Sequence, residues 1–425
     1  MATALVAQAQ TPPKPLSPAD SDPVKMGWMV GSPPPPDKMV KLADLSHFRF
    51  PQIRWSFANM RQIIPSTNVA RGEGPVAALP HAERTDLDGV SFTPLGQTTP
   101  MTWAQSVDAN YTDSIVVLHK GRIVYEKYFG VNTAATQHIS NSVTKSFFGT
   151  LGAMLVEEGK LDPKATVSRY IPELKDSAFG DATVRQVLDM TTGFKYSENY
   201  ADPKADVWAY ARAGSMFPRP PGYAGPQNFY EYLQTLVKEG EHGEAFTYKT
   251  PNSELMGWLI RRATGQTVGQ ALSERIWSKL GVEREAYLMV DTGGNEFAGG
   301  GFNLTARDMA RFGEMMRLDG RYNGQQIVPK AVVDDIRGGG GKAEFAKAGY
   351  TTLPGWTYRD MWWVSHNEHG AYSARGIHGQ ALYIDPKAEM VIARFASHPL
   401  AANANIDPTS LPAYHALAKH LMKAD

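Results

Sequence analysis

The 425-residue chain contains no cysteine. Disulfides, thiolate nucleophiles and cysteine-ligated metals are therefore excluded. It also lacks a charge imbalance: Lys+Arg and Asp+Glu each number 43. No global field draws it toward nucleic acid or an anionic membrane surface. No apolar run approaches the roughly 18 residues that would suggest a stable membrane insertion. A G-x-S-x-G turn, with its exposed strand-to-helix serine, is missing as well. What remains is ordinary globular material, 42% hydrophobic and 20% charged, long enough for two or three domains.

The chain divides by composition. Residues 1–40 hold "TPPKPLSPADSDP" and "GSPPPPDK", stretches too rich in proline for helix or sheet ladders, and read as a linker. They follow an Ala-x-Ala-like step at Ala7 and Ala9 that resembles the tail of a secretory signal. This predicts a periplasmic or secreted protein, with the cytoplasm as the alternative. Residues 41–108 read as an aromatic-rich arm packed on a neighbouring domain. A hairpin with a Lys-Gly turn is expected over 114–130, then a helix from about Ser142 to Gly159. Residues 162–284 show mainly helical signals separated by Pro- and Gly-rich loops. A second hairpin around 376–397 and a closing helix at 411–424 complete the pattern. The expected architecture is α/β (α+β): a sheet domain built from 109–161 plus 285–425, split by a mainly helical insertion at 162–284.

Three places carry candidate chemistry. In "SNSVTKSFFG" (140–149), Ser142 and Lys145 lie three apart at a helix start, hence on one face. If that face is buried, desolvation lowers the lysine pKa and its amine can take the serine proton. The Ser142 N–H, at the positive helix end, would form half of an oxyanion hole. The bland alternative is a surface cap serine followed by a solvated lysine. Tyr248, just before the amphipathic "PNSELMGWLIRRATG", is placed to relay a proton, provided Lys145 lowers its pKa; the alternative is a packed interface tyrosine. Asn252 could orient the lysine or a substrate carbonyl. In "ARGIHGQALYID", Gly376 and Gly379 allow close approach of a substrate backbone, while His378 reads as a packing or supporting histidine rather than a triad base.

The motifs occur in an order: S-V-T-K, "VRQVLDMTTGF", Y-x-x-x-N before a helix, "GGGFNLTARDMARFGEMM", then a glycine-bearing strand. From about residue 50 onward this resembles the serine β-lactamase-like hydrolases, in the branch with class C β-lactamases, D-Ala-D-Ala carboxypeptidases and family VIII esterases. "QIRWSFANMRQIIPS", "SENYADP", "GRYNGQQIVP" and "MWWVSHNEHG" are most similar to the 6-aminohexanoate-dimer (nylon-oligomer) hydrolase group. The resemblance implies a β-lactamase/DD-peptidase-like fold, an antiparallel sheet flanked by helices. It implies Ser142 as nucleophile, Lys145 and Tyr248 as its catalytic partners, and the N–H groups of Ser142 and Ile377 as the oxyanion hole. It places Tyr200 on a loop over the substrate and makes Gly376 the glycine of the third motif; Asn252, His378 and Trp208 are expected, from their own positions, as further substrate contacts.

Two departures bear on substrate. Ala374 and Arg375 stand where the family has Lys-Thr, so penicillin-type carboxylates lose their usual cation unless Arg375 replaces it. In "ADVWAYARAG", Trp208 and Tyr210 lie where an acid receives the substrate amine in the nylon-oligomer group, leaving Asp206 as the remaining candidate. The expected activity is hydrolysis of small-molecule carboxylic esters or linear amides through an acyl-enzyme, without cofactor or metal. The alternatives are an amide or peptide hydrolase of the aminohexanoate-oligomer or D-amino-acid type, and a catalytically silent binding protein. No nucleic-acid partner is expected, and a homo-oligomer stays open. "GGGGK" (338–342) is read as a flexible surface loop, since Ala343 follows where a phosphate loop needs Ser or Thr. His366 and His369 lack a third ligand at suitable spacing.

Overall fold

The hairpin expected from "VVLHKGRIVY" forms around Lys120 and Gly121, both in the left-handed region (φ 50° and 73°), as a tight two-residue turn requires. In the computed structural model, which describes residues 14–423, it is one edge of a seven-stranded antiparallel sheet. The strands are β1 (Thr112–His119), β2 (Arg122–Tyr128), β3 (Thr357–Arg359), β4 (Trp362–Val364), β5 (Tyr372–Gly376), β6 (Gln380–Asp385) and β7 (Met390–Ala396). Their spatial order is β3-β4-β5-β6-β7-β1-β2. The second expected hairpin is β6–β7, and β7 pairs with β1, so segments on either side of 162–284 share one sheet.

Both faces of that sheet are covered, which is why β1 reads as a continuous apolar run. The main helices are α1 (Val143–Glu157), α2 (Asp206–Ala213), α3 (Pro251–Thr264), α4 (Ala306–Arg317) and α5 (Asp407–Lys423). Val116, Leu118, Leu382 and Val391 join a core with Phe147 of α1 and Phe312 of α4. A Cβ at Gly313 would come within 2.6 Å of Val391, so glycine lets α4 lie close on the sheet. On the other face Ile115, Val117, Tyr383 and Ile392 pack with Trp103 and with Tyr414 and Leu417 of α5. In 162–284, helices and loops, with α3 at their centre, lie against α1, where Gly152 would meet Met256 at 2.6 Å if it carried a Cβ.

Three features differ from the sequence expectations. The proline-rich stretch is not bare linker: Asp22 caps a one-turn helix at Pro23–Met26, and Trp28 is buried with Val40 and Trp55. Proline suits the first helical turn, where its missing N–H would be unpaired anyway. A second, four-stranded sheet (Ser66–Val69, Ala286–Met289, Phe302–Leu304, His138–Ile139) had no legible signal, since its strands are two to four residues long. The "GGGGK" segment lies at the surface as read, but Gly338 ends one helix, Lys342 begins another, and a Cβ at Gly340 between them would lie 2.2 Å from the Tyr358 carbonyl oxygen. The Ala7–Ala9 step lies outside the described residues. Among the described residues, no helix is long and apolar enough to cross a membrane.

Candidate active site

The strand His138–Ile139 delivers the chain to α1 through Ser140, whose hydroxyl donates to the Phe302 carbonyl at 2.8 Å. Asn141 then takes a left-handed conformation (φ 44°), which asparagine tolerates better than most side chains. This turn sets Ser142 at the N-cap of α1. Its side chain makes no capping bond to the first-turn N–H groups. Instead Lys145 Nζ lies 2.9 Å from Ser142 Oγ, on the same helical face, and also donates to the Gly299 carbonyl.

Lys145 is 1% exposed. Burial pulls its pKa down to about 8, while the negative charges of Glu198 and Glu254 hold it from falling further. Its ammonium sits 5.3 Å from the centre of the Tyr248 ring. Tyr248 stacks on Trp363, with ring centres 5.4 Å apart, and lines the same chamber as Ser142. The expectation that Lys145 would lower the Tyr248 pKa does not hold. Burial, with the Glu198 charge behind it, drives the phenol well above its ordinary value, and Ser142 only partly offsets this. Tyr248 is thus a neutral phenol, suited to donating a proton rather than to waiting as a phenolate.

The end of β5 runs alongside this pair. A Cβ at Gly376 would be 3.0 Å from the Ser142 nitrogen and 2.8 Å from the Ser140 oxygen, so only glycine permits the approach. Ile377 follows, its carbonyl accepting from Asn141 Nδ2 at 3.4 Å and Gln380 Nε2 at 3.1 Å.

Ser142, Tyr200 and Ile377 stand at the junction of two chambers. The first is an apolar cavity of about 80 Å³ walled chiefly by Phe48, Phe57, Met60, Trp208, Phe217 and Phe297. The second, about 220 Å³, is the more polar of the two and is lined by Glu198, Tyr248, Tyr350, Thr352, Arg375 and Asp407 beside apolar residues such as Leu353 and Trp363. Trp208 stacks on Phe217 at 5.3 Å and donates its indole N–H to the Asp202 carbonyl at 2.7 Å. Tyr200 donates to Glu198 at 2.8 Å, and Glu198 also accepts the Thr250 N–H (2.7 Å) and hydroxyl (2.6 Å).

Several sequence candidates fall elsewhere. Asn252 is fully buried, accepting from Thr192 at 2.7 Å and donating to the Lys249 carbonyl at 3.1 Å, and lines neither chamber. It braces the loop before α3 rather than touching lysine or substrate. His378 also lines neither chamber. Its ring lies edge-on to Phe48 (5.6 Å) and Phe57 (5.4 Å), its Nδ1–H donates to the His398 carbonyl at 2.6 Å, and burial lowers its pKa to about 4. It is a neutral packing residue behind the apolar wall, not a substrate contact. Asp206 is turned to Ser197, whose N–H and hydroxyl it accepts at 2.8 and 3.0 Å, so no acid enters the apolar chamber from that helix. Arg375 points into the polar chamber but is ion-paired with Asp407 and lies 5.2 Å from the Trp363 ring centre.

Sequence reasoning missed Glu198, Glu254, Gly299 and Asp407. Glu198 stood inside the quoted "SENYADP", yet a lone acid in a loop has no periodicity to mark it. The third partner for His369 comes from α5: Glu368, His369 and His415 offer atoms within 4.8 Å of one another. These side chains are already engaged, His369 with Asp385 at 2.8 Å and His415 with Glu368 at 3.0 Å, with Lys419 3.6 Å from the same carboxylate.

The family model described as "Beta-lactamase" matches residues 107–410. The chain belongs to the beta-lactamase family. Within this family it is similar to a "6-aminohexanoate-dimer hydrolase" from Paenarthrobacter ureafaciens, 35% identical over 350 residues, which are 82% of this chain and 86% of the relative. A solved structure, "Putative 6-aminohexanoate-dimer hydrolase from Bacillus anthracis", superposes with a TM-score of 0.82 at 34% identity, covering 92% of this chain and 99% of that one. A more distant hydrolase, EstCE1, shares the fold alone, with a TM-score of 0.56 at 16% identity over 74% of this chain and 96% of its own. The β-lactamase/DD-peptidase-like fold implied by the motifs is therefore the fold of this beta-lactamase family hydrolase, and the resemblance to the nylon-oligomer group holds along most of its length.

Proposed function

We propose that the protein is a serine hydrolase that cleaves esters and linear amides of short apolar acyl groups through an acyl-enzyme at Ser142. The observation that carries this reading is the 2.9 Å contact between buried Lys145 Nζ and Ser142 Oγ, at the junction of the two chambers. In its neutral form Lys145 takes the Ser142 proton as Oγ attacks the carbonyl carbon. The N–H groups of Ser142 and Ile377 hold the developing oxyanion. Tyr248 gives its phenolic proton to the departing oxygen or nitrogen and regains one from the Lys145 ammonium. Water then attacks the acyl carbonyl by the reverse of these transfers, releasing the acid and free Ser142.

The chambers give the substrate a direction. Tyr248 lines only the polar chamber, so the leaving group departs there and the acyl chain occupies the apolar one. Its volume of about 80 Å³ is roughly half of the ~150 Å³ that holds a benzene, leaving room for about three or four carbon atoms. The relative's name suggests a second reading, hydrolysis of an aminohexanoate amide, with Glu198 in the polar chamber as the acid that would meet an amine there. Against it, the apolar chamber offers no acid for a charged acyl end. The Arg375–Asp407 pair likewise leaves no uncompensated cation for a penicillin-type carboxylate.

A series of p-nitrophenyl esters, with linear amides and nitrocefin alongside, tests the assignment. Butyrate is expected to give the highest kcat/KM, and octanoate a value at least about tenfold lower, as a few misfitted methylenes would cost. Nitrocefin should be the poorest substrate. Octanoate matching butyrate, or nitrocefin leading the series, contradicts the chamber assignment.

A further inference from the structure

We propose that Glu254 is a positioning residue for Lys145, acting through Gly299 and through its own charge, and so sets the pH at which the Ser142–Lys145 pair becomes reactive. The inference rests on the reading of Lys145 as the base for Ser142.

Glu254 lies in α3, six residues after Tyr248, and is 1% exposed. Three donors converge on its carboxylate: the Gly299 N–H at 2.6 Å, the Tyr210 hydroxyl at 2.7 Å and the Ala298 N–H at 3.2 Å. All three contacts are accepted by the carboxylate oxygens, and each favours the charged form against the burial that raises its pKa. The carbonyl of the same Gly299 accepts from Lys145 Nζ. One residue is therefore gripped at both ends, its N–H by Glu254 and its C=O by Lys145.

Steric requirements point the same way independently. A Cβ at Gly299 would lie 2.6 Å from Thr250 Cγ2, 2.7 Å from Glu254 Oε1 and 2.9 Å from the Tyr210 oxygen. The backbone is drawn against the carboxylate so closely that no other residue fits.

The charges facing this carboxylate are few. Lys145 of α1 is the cation acting on it, Tyr210 of α2 donates to it, and Tyr230 of the 229–235 helix feels its field. Glu198, from the loop over the polar chamber, acts on Lys145 beside it, and the Tyr248 ring lies under the ammonium. Burial brings the acid and the lysine into one titration range, pushing Glu254 up to about 8 and pulling Lys145 down to about 8. An ionised Glu254 holds the proton on Lys145. Removing that charge frees the amine at lower pH.

The test is the pH profile of kcat/KM with p-nitrophenyl butyrate for the full chain and for Glu254→Gln. In the wild type the rate rises with pH as Lys145 loses its proton. In Glu254→Gln the midpoint of that rise is expected to fall by on the order of one pH unit, because the neutral amide no longer stabilises the ammonium. A residue that merely filled space would lower the rate at every pH and leave the midpoint in place, so an unmoved midpoint overturns the proposal. Should Glu254→Gln fail to fold, Tyr210→Phe removes one donor from the carboxylate and weakens its ionised form. Its midpoint should move in the same direction by a smaller amount, and no movement there overturns the proposal equally. A wild type with no rise near this range, or full activity in Ser142→Ala, instead removes the Lys145 reading beneath it.

Discussion

Ser142→Ala is expected to lower kcat toward p-nitrophenyl butyrate by at least about 10⁴-fold, the scale on which nucleophile deletions act in serine hydrolases. The protein should meanwhile remain folded. A serine at a helix N-cap ordinarily satisfies a first-turn N–H, and its loss then costs about 1 kcal/mol of stability. Ser142 makes no such bond: its hydroxyl is committed to Lys145. Truncation therefore removes no helix cap, and the melting temperature should stay within a few degrees of wild type while turnover disappears. Kinetics and a thermal melt on the same preparation separate the two effects. Retained turnover, or a loss explained by unfolding, contradicts the role given to this hydroxyl.

Gly376→Ala should be the next most damaging small change. The added methyl would sit 3.0 Å from the Ser142 nitrogen and 2.8 Å from the Ser140 oxygen, both tighter than ordinary carbon contacts. Either the methyl screens the Ser142 N–H, or β5 moves off and carries Ile377 away from the oxyanion position. Loss of one oxyanion donor costs about 10²–10³ in kcat. Because the donors act on charge that develops in the transition state, KM should change little. Comparable kcat in Gly376→Ala and wild type would mean that the strand does not serve the oxyanion at all.

Much of this site was legible because its parts obey local rules. Ser142 and Lys145 share a face by helical spacing alone, and the run behind them announced a buried helix. Gly376 was readable as a close approach, and the β6–β7 hairpin by its alternating pattern. Tertiary contacts without sequence periodicity were not legible. Glu198 and Glu254 become important only when three chain segments converge on Lys145, and nothing around either residue marks that in advance. Tyr248 is legible from its place before α3, but its ionisation is not. Burial outweighs the nearby lysine, and burial cannot be measured from a single tyrosine in a loop. His378 and Asn252 sat within the right motifs and still face away from both chambers, since a motif fixes a backbone position rather than the direction of every side chain. The four-stranded sheet that delivers the chain to Ser142 left no signal because strands of two to four residues carry too little alternation to read.

The most direct test of the central claim is mass spectrometry of the protein quenched with acid during turnover of p-nitrophenyl butyrate, followed by peptide mapping. The account predicts a butyryl adduct on the peptide containing Ser142, at that residue, absent from Ser142→Ala. A butyryl group on another residue, or undiminished turnover in Ser142→Ala, would contradict it.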